Sequence, residues 1–334
     1  MSDRIETVNK FAREEYGFLP PKIPTELTKI GENNHHFGGM CLEEDFELNA
    51  KGPKGEHKFP VRLIVPRTPG KHKLFVFLNF DARVYTDYFP LQSVMERNFA
   101  VAYVYYNDIS SDDGDMTNGL AGVYERPTDG TGWGKLSIWA RGASLVLDAL
   151  EGRQDIDFEN VAIIGHSRLG KTALWCAAND TRFKFACVND SGCSGAAYAR
   201  RESPYRETIE KITNNFPYWF CENYLKYRNN EAALPFDQDE LIAAVCPRFV
   251  CVASGSLDAW ACPEAELESC VRASKAWEQI GRHGYIGKAH DVNINERFID
   301  GDIGYFLREG THFLALGDWR YYMDFIDKHG FDGV

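Results

Sequence analysis

Two kinds of apolar patterning alternate along this chain. Short runs that are apolar at nearly every position (LFVFLNF, AVAYVYY, VAIIG, FKFACV, RFVCVA) predict strands buried on both faces, as in a parallel sheet. Between them lie stretches with apolar residues at helical spacing: LQSVMERN, LSIWARGASLVLDALEG and RLGKTALWCAA. The tail repeats the pair, with IGYFLREG as strand and DWRYYMDFID as helix. Strand–helix alternation of this kind predicts an α/β fold whose central sheet is joined by right-handed crossovers. Ahead of it, residues 45–65 carry two alternating stretches, DFELNA and FPVRLIVP, around KGPKGEHK, which predict a hairpin. The first forty residues predict a short helix, ETVNKFAREEYGF, stopped by LPPKIP. With no repeat and no linker composition, residues 1–334 are read as one domain.

Composition removes some function classes. A net charge of −12 argues against a nucleic-acid or polyanion partner. No stretch reaches the roughly 18–20 apolar residues of a membrane span, and the N-terminal residues lack the apolar core of a secretory signal. The expectation is a soluble, cytoplasmic protein without a membrane partner. The nine cysteines are odd in number, sit mostly in apolar runs and have no metal-binding spacing, so buried free thiols are expected. Cys193 and Cys221 are the pair to inspect for a bond.

The sharpest chemical signal is VAIIGHSRLGKTALW, a strand that runs through Gly165, His166 and Ser167 straight into a helix. A nucleophile elbow needs this context, because the serine must stand on a tight turn above the sheet. Leu169 holds the place of the second glycine in the usual GxSxG, and Gly170 follows it. The alternative is that Ser167 simply caps the helix. The helix start offers backbone N–H groups to an oxyanion, and Arg168 adds a positive charge. Arg168 and Lys171 together suggest an anionic substrate.

In such folds the acid and the histidine follow the serine in chain order. His283, His290, His312 and His329 do so, and only His312 lies between a strand-like run and a new helix. His312 is therefore the expected base. Two carboxylates stand just past apolar strands, Asp258 in VASGSLDAW and Asp190 in CVNDSG. Either could hold the imidazole, and either could be an N-cap or Asx-turn.

GHSRLGKTALW, NDSGCSGAAYARR, NNFPYWFC, LPFDQDELIA, PRFVCVASGSLDAWACP and GTHFLALGDWRYYMDF together resemble the bacterial glucuronoyl esterases, carbohydrate esterase family 15. The resemblance implies an α/β-hydrolase, a three-layer α/β/α sandwich with a mostly parallel sheet. It also implies no metal or cofactor, and cleavage of esters of glucuronic acid or its 4-O-methyl ether, as in xylan–lignin linkages. Ser167 is then nucleophile, His312 base and Arg168 oxyanion stabiliser. Lys171, Glu207 and Trp260 are then sugar-binding residues. The family places its acid at the position of Asp190 or of Asp258; the shorter side chain at 190 favours Asp258.

Two departures stand out. DARVYTDYFPLQ replaces a Gly-rich loop of the family, and His166 stands where fungal members have a disulfide cysteine. The expected partner is a small or oligosaccharide uronate ester. Competing readings are a carbohydrate acetyl esterase and a catalytically silent carbohydrate-binding homologue. Oligomeric state is not legible.

Overall fold

The expected strands become neighbours in one ten-stranded sheet. A computed structural model describes residues 2–330. Its strands are β1 (Thr25–Asn33), β2 (Cys41–Gly52), β3 (Gly55–Pro66), β4 (His72–Asn79), β5 (Phe99–Tyr105), β6 (Ile156–His166), β7 (Phe185–Asn189), β8 (Phe249–Gly255), β9 (Arg297–Phe298) and β10 (Ile303–Arg308). Their order across the sheet is β1-β2-β3-β5-β4-β6-β7-β8-β10-β9. The stretch from β5 to β10 is parallel, while β1, β2 and β3 form an antiparallel wing and β9 an antiparallel edge.

The all-apolar strands serve two cores at once, because successive side chains point to opposite faces. In β4, Leu74, Val76 and Leu78 enter one core, and Phe75 and Phe77 the other. In β8, Val250 and Val252 oppose Phe249, Cys251 and Ala253 in the same way. The first core is closed by α2 (Lys135–Leu150), α3 (Arg168–Asn179) and α4 (Pro263–Glu278), together with α1 (Ser2–Phe11) through Phe11. The second is closed by α5 (Leu316–His329), whose Trp319 packs edge-on against Phe75 and Phe77. Helices therefore cover both faces, giving three layers.

Two strands were not legible in the apolar pattern. β1 is the polar run TELTKIGEN, mostly exposed, and it holds its place by pairing with β2 rather than by burial. β9 is a two-residue edge. All nine cysteines are free; Cys221 Sγ points to the Arg13 carbonyl (3.6 Å), so Cys193 and Cys221 do not bond. No helix among the described residues is long and apolar enough to cross a membrane. Two long connections lie beyond the carboxyl ends of the strands, residues 106–134 after β5 and residues 190–248 after β7. Ligand clefts of open α/β sheets form at that edge.

Candidate active site

β6 ends at His166 and α3 begins at Arg168, leaving Ser167 alone on the turn with φ 59° and ψ −126°. This is glycine territory, costly for a residue with a Cβ and retained where surrounding structure imposes it. The turn is tight enough to exclude side chains on both sides. A Cβ on Gly165 would lie 2.2 Å from the Leu169 carbonyl oxygen, and one on Gly170 2.9 Å from that of Asn189. The second glycine therefore works one position late, with fully buried Leu169 taking its usual place. Ser167 occupies the N-cap position, yet its hydroxyl makes no capping bond. That separates it from a simple helix cap.

Ser167 and His312 line one cleft of about 250 Å³ with Arg168, Lys171, Asp190, Ser191, Gly192, Glu207, Phe216, Trp219, Trp260 and Ala261. His312 follows β10, and its Nδ1 is 2.5 Å from Asp258 Oδ2. The other oxygen of Asp258 accepts the Ala261 N–H. Burial pushes the Asp258 carboxyl up. The bond to His312 and the imidazole charge outweigh this and leave it below the ordinary carboxylate value.

Asp190 is differently employed. Its Oδ1 accepts the Gly255 N–H (2.5 Å), and its Oδ2 accepts the Phe313 N–H and Arg308 Nη2, both at 3.3 Å. Burial and the charge on Glu266 push its carboxyl up, and the Gly255 N–H draws it back. Asp190, Asp258 and His312 present ligand-type atoms within 4.8 Å of one another, a spacing that could suit a metal ion. Hydrogen bonds within the protein already engage both carboxylates. The imidazole is bonded to Asp258, with Asp190 next to it and turned to the backbone.

The structure changes the meaning of the two cations. Arg168 is ion-paired with Asp112, and its guanidinium faces the rings of Trp219 (4.6 Å) and Phe216 (5.2 Å). Lys171 is buried, bonded to the Ser191 carbonyl and 3.4 Å from Glu207 Oε2. Each cation already has its anion, so the expectation of an anionic substrate is corrected: the paired charges offer polar groups in an electrically balanced wall. Glu207 donates its backbone N–H to the Trp260 carbonyl, which fixes it beside the half-exposed Trp260 ring.

Three residues that hold the site were missed in the sequence. Arg308, at the end of β10, donates to the Thr311 and Phe313 carbonyls and to Asp318, bracing the loop that carries His312. Fully buried Glu266 accepts from the N–H groups of Ser191 and Gly192 and from the hydroxyls of Ser191 and Ser254, tying the loop after β7 to β8. Asp112 is the third. None lies in a motif; an apolar run ending in Arg, as β10 does, was the one available cue.

His166 packs its ring 4.4 Å from that of His312 and donates its Nδ1–H to Asn189 Oδ1 (2.6 Å). Burial, then the nearby His312, pushes its pKa down to about 3. Because this is below the unfolded value of about 6.5, the folded state binds the proton less well. The stability that neutral His166 contributes is full above pH 6.5 and drains as pH falls towards 3. Urea unfolding of wild type and His166→Gln at pH 4, 5 and 6 should show a steeper loss for wild type, by up to about 1.4 kcal/mol per pH unit. Equal slopes would mean that the ring is not buried neutral.

The family model for fungal glucuronyl esterases matches residues 54–281. The chain is 37% identical to carbohydrate esterase MZ0003 of an unknown prokaryotic organism, over 72% of this chain and 55% of that protein. It is 31% identical to a 4-O-methyl-glucuronoyl methylesterase of Hypocrea jecorina, over 46% of this chain and 35% of that protein. The chain thus spans about half or less of these two relatives' lengths. Among solved structures, it resembles a promiscuous CE15 esterase from a marine bacterial metagenome, with TM-score 0.87 and 29% identity over 98% of this chain and 91% of that one. The glucuronoyl esterase of Solibacter usitatus matches with TM-score 0.89 and 28% identity over 97% and 91%.

Proposed function

The chain belongs to the glucuronoyl esterase family, carbohydrate esterase family 15, with an α/β-hydrolase fold, and from that premise we propose that it hydrolyses esters of glucuronic acid or its 4-O-methyl ether. The observation that carries this reading is that His312, held by Asp258, shares a cleft with Ser167 and with the polar wall of Lys171, Glu207 and Trp260. Ser167 Oγ attacks the ester carbonyl as His312 takes its proton. Asp258 holds the imidazole by Nδ1 and stabilises the imidazolium. Backbone N–H groups at the start of α3 and the Arg168 guanidinium stabilise the oxyanion. His312 then returns the proton to the departing alcohol, and water repeats the sequence on the acyl-enzyme. Lys171, Glu207 and Trp260 hold the sugar, and no step calls for a metal or cofactor.

Purified protein should cleave methyl or benzyl glucuronate with a kcat/KM about a hundredfold or more above that for an acetylated sugar or 4-nitrophenyl acetate, because sugar binding contributes to the transition state only when the uronate is the acyl part. Turnover of the acetylated sugar alone would keep the triad and replace the substrate by a carbohydrate acetyl ester. Binding without turnover of any ester would point instead to a silent carbohydrate-binding homologue.

A further inference from the structure

The hydrolysis scheme gives no role to Asp112, the largely buried carboxylate paired with Arg168. Asp112 lies in the loop between β5 and α2, and donors from three separate parts of the chain converge on it. Its Oδ2 takes Arg168 Nη1 from the elbow and the Tyr106 hydroxyl (2.9 Å) from the end of β5. Its Oδ1 takes the Trp219 indole N–H (2.7 Å) from the connection after β7. The backbone is pinned as well, with its N–H donated to Asn107 Oδ1 (2.8 Å) and its carbonyl accepting the Tyr218 hydroxyl (3.1 Å). Such a carboxylate cannot swing away.

Arg168 has little else to hold it. Its Nε–H is buried with no protein partner, so the Asp112 bond and the faces of Trp219, Phe216 and Phe80 fix the guanidinium. An arginine side chain left free carries substantial rotamer entropy, and an oxyanion donor out of place loses most of its worth. Charge matters too. The ester is neutral at its carboxyl, whereas hydrolysis yields a carboxylate, an alcohol and a proton. An unpaired guanidinium beside Ser167 would hold that carboxylate back.

We infer that Asp112 is a positioning residue for Arg168: it fixes the guanidinium for the transition-state oxyanion and offsets its charge so that the uronate product is released. This rests on the reading of Ser167 and Arg168 as ester-cleaving machinery.

The test is a double-mutant cycle of Asp112→Asn and Arg168→Met on methyl glucuronate, with inhibition by free glucuronate measured alongside. Asp112→Asn should lower kcat about ten- to a hundredfold with KM changed less than about threefold. Glucuronate should inhibit this variant about threefold or more tightly than wild type. In Arg168→Met the same substitution should change kcat less than about twofold. A merely structural role would give the same loss in both backgrounds and would not tighten product inhibition, and either result overturns the inference. Should Asp112→Asn fail to fold, Tyr106→Phe removes one donor from the same oxygen. It should cause a smaller kcat loss that vanishes in Arg168→Met; an equal loss in both overturns the inference. If wild type ignores methyl glucuronate but cleaves an acetyl ester, the substrate reading fails. The cycle on that ester, with acetate as inhibiting product, then decides the role of Asp112 separately.

Discussion

Replacing Ser167 by alanine should reduce kcat for uronate ester cleavage by about 10³- to 10⁶-fold, with the protein still folded. Removing the nucleophile of a triad leaves only the rate from binding and oxyanion donors. The strained turn supplies an internal control. Alanine keeps a Cβ at φ 59°, so Ser167→Ala should unfold within about 1 kcal/mol of wild type. Ser167→Gly should be equally inactive yet more stable by about 1 kcal/mol, because glycine adopts this conformation without strain. Kinetics and thermal denaturation of the three proteins read both effects. Undiminished ester cleavage by either variant would remove Ser167 from the chemistry. Alanine and glycine variants of equal stability would mean that the turn stores no strain.

The second large effect separates the two carboxylates. Asp258→Asn should cost about 10⁴-fold in kcat, since an amide at Nδ1 favours the wrong tautomer and cannot stabilise the imidazolium. Its stability should change little, because an isosteric amide keeps both contacts: its oxygen can still accept the Ala261 N–H and its NH₂ can still meet His312 Nδ1. Asp190→Ala should behave in the opposite way. It strips the acceptor from the Gly255 and Phe313 N–H groups, while Arg308 Nη2 keeps the Thr311 and Phe313 carbonyls. Each buried donor left unsatisfied costs about 1–3 kcal/mol, so a loss of at least about 2 kcal/mol and several degrees in Tm is expected. Assayed well below that Tm, the variant should keep activity within about a hundredfold of wild type. An inactive but fully stable Asp190→Ala, beside an active Asp258→Asn, would transfer the acid role to Asp190.

Much of the fold and part of the site are legible in the amino-acid sequence. Runs such as LFVFLNF and RFVCVA encode strands buried on both faces, because apolar residues fall on both sides of the pleat and leave no polar face for water. The hairpin of β2 and β3 is equally visible, since one-sided burial imposes alternation on its strands. β1 is not visible: an exposed edge carries no apolar period, and its partner β2 alone defines it. Ser167 can be read because the elbow constrains adjacent residues, with small neighbours packed against the helix start. His312 can be read because the order of elements constrains where a base can come from.

The carboxylates divide along the same line. Asp258 and Asp190 each follow a strand, and local sequence treats them alike. What distinguishes them is which side chain meets the His312 ring and which meets Arg308, contacts made across 54 and 118 residues of chain. Asp112 and Arg168 are 56 residues apart, in a loop and an elbow whose sequences carry no mark of each other. The chain by itself determined the apolar strands of the sheet and the turn that presents Ser167, because these follow from hydrophobic periodicity and from short-range sterics, while the family is carried by its motifs. Only the tertiary structure decided which acid holds the imidazole and that both cations of the cleft are already paired. Ion pairs and hydrogen bonds depend on a few tenths of an ångström between residues that the sequence keeps far apart.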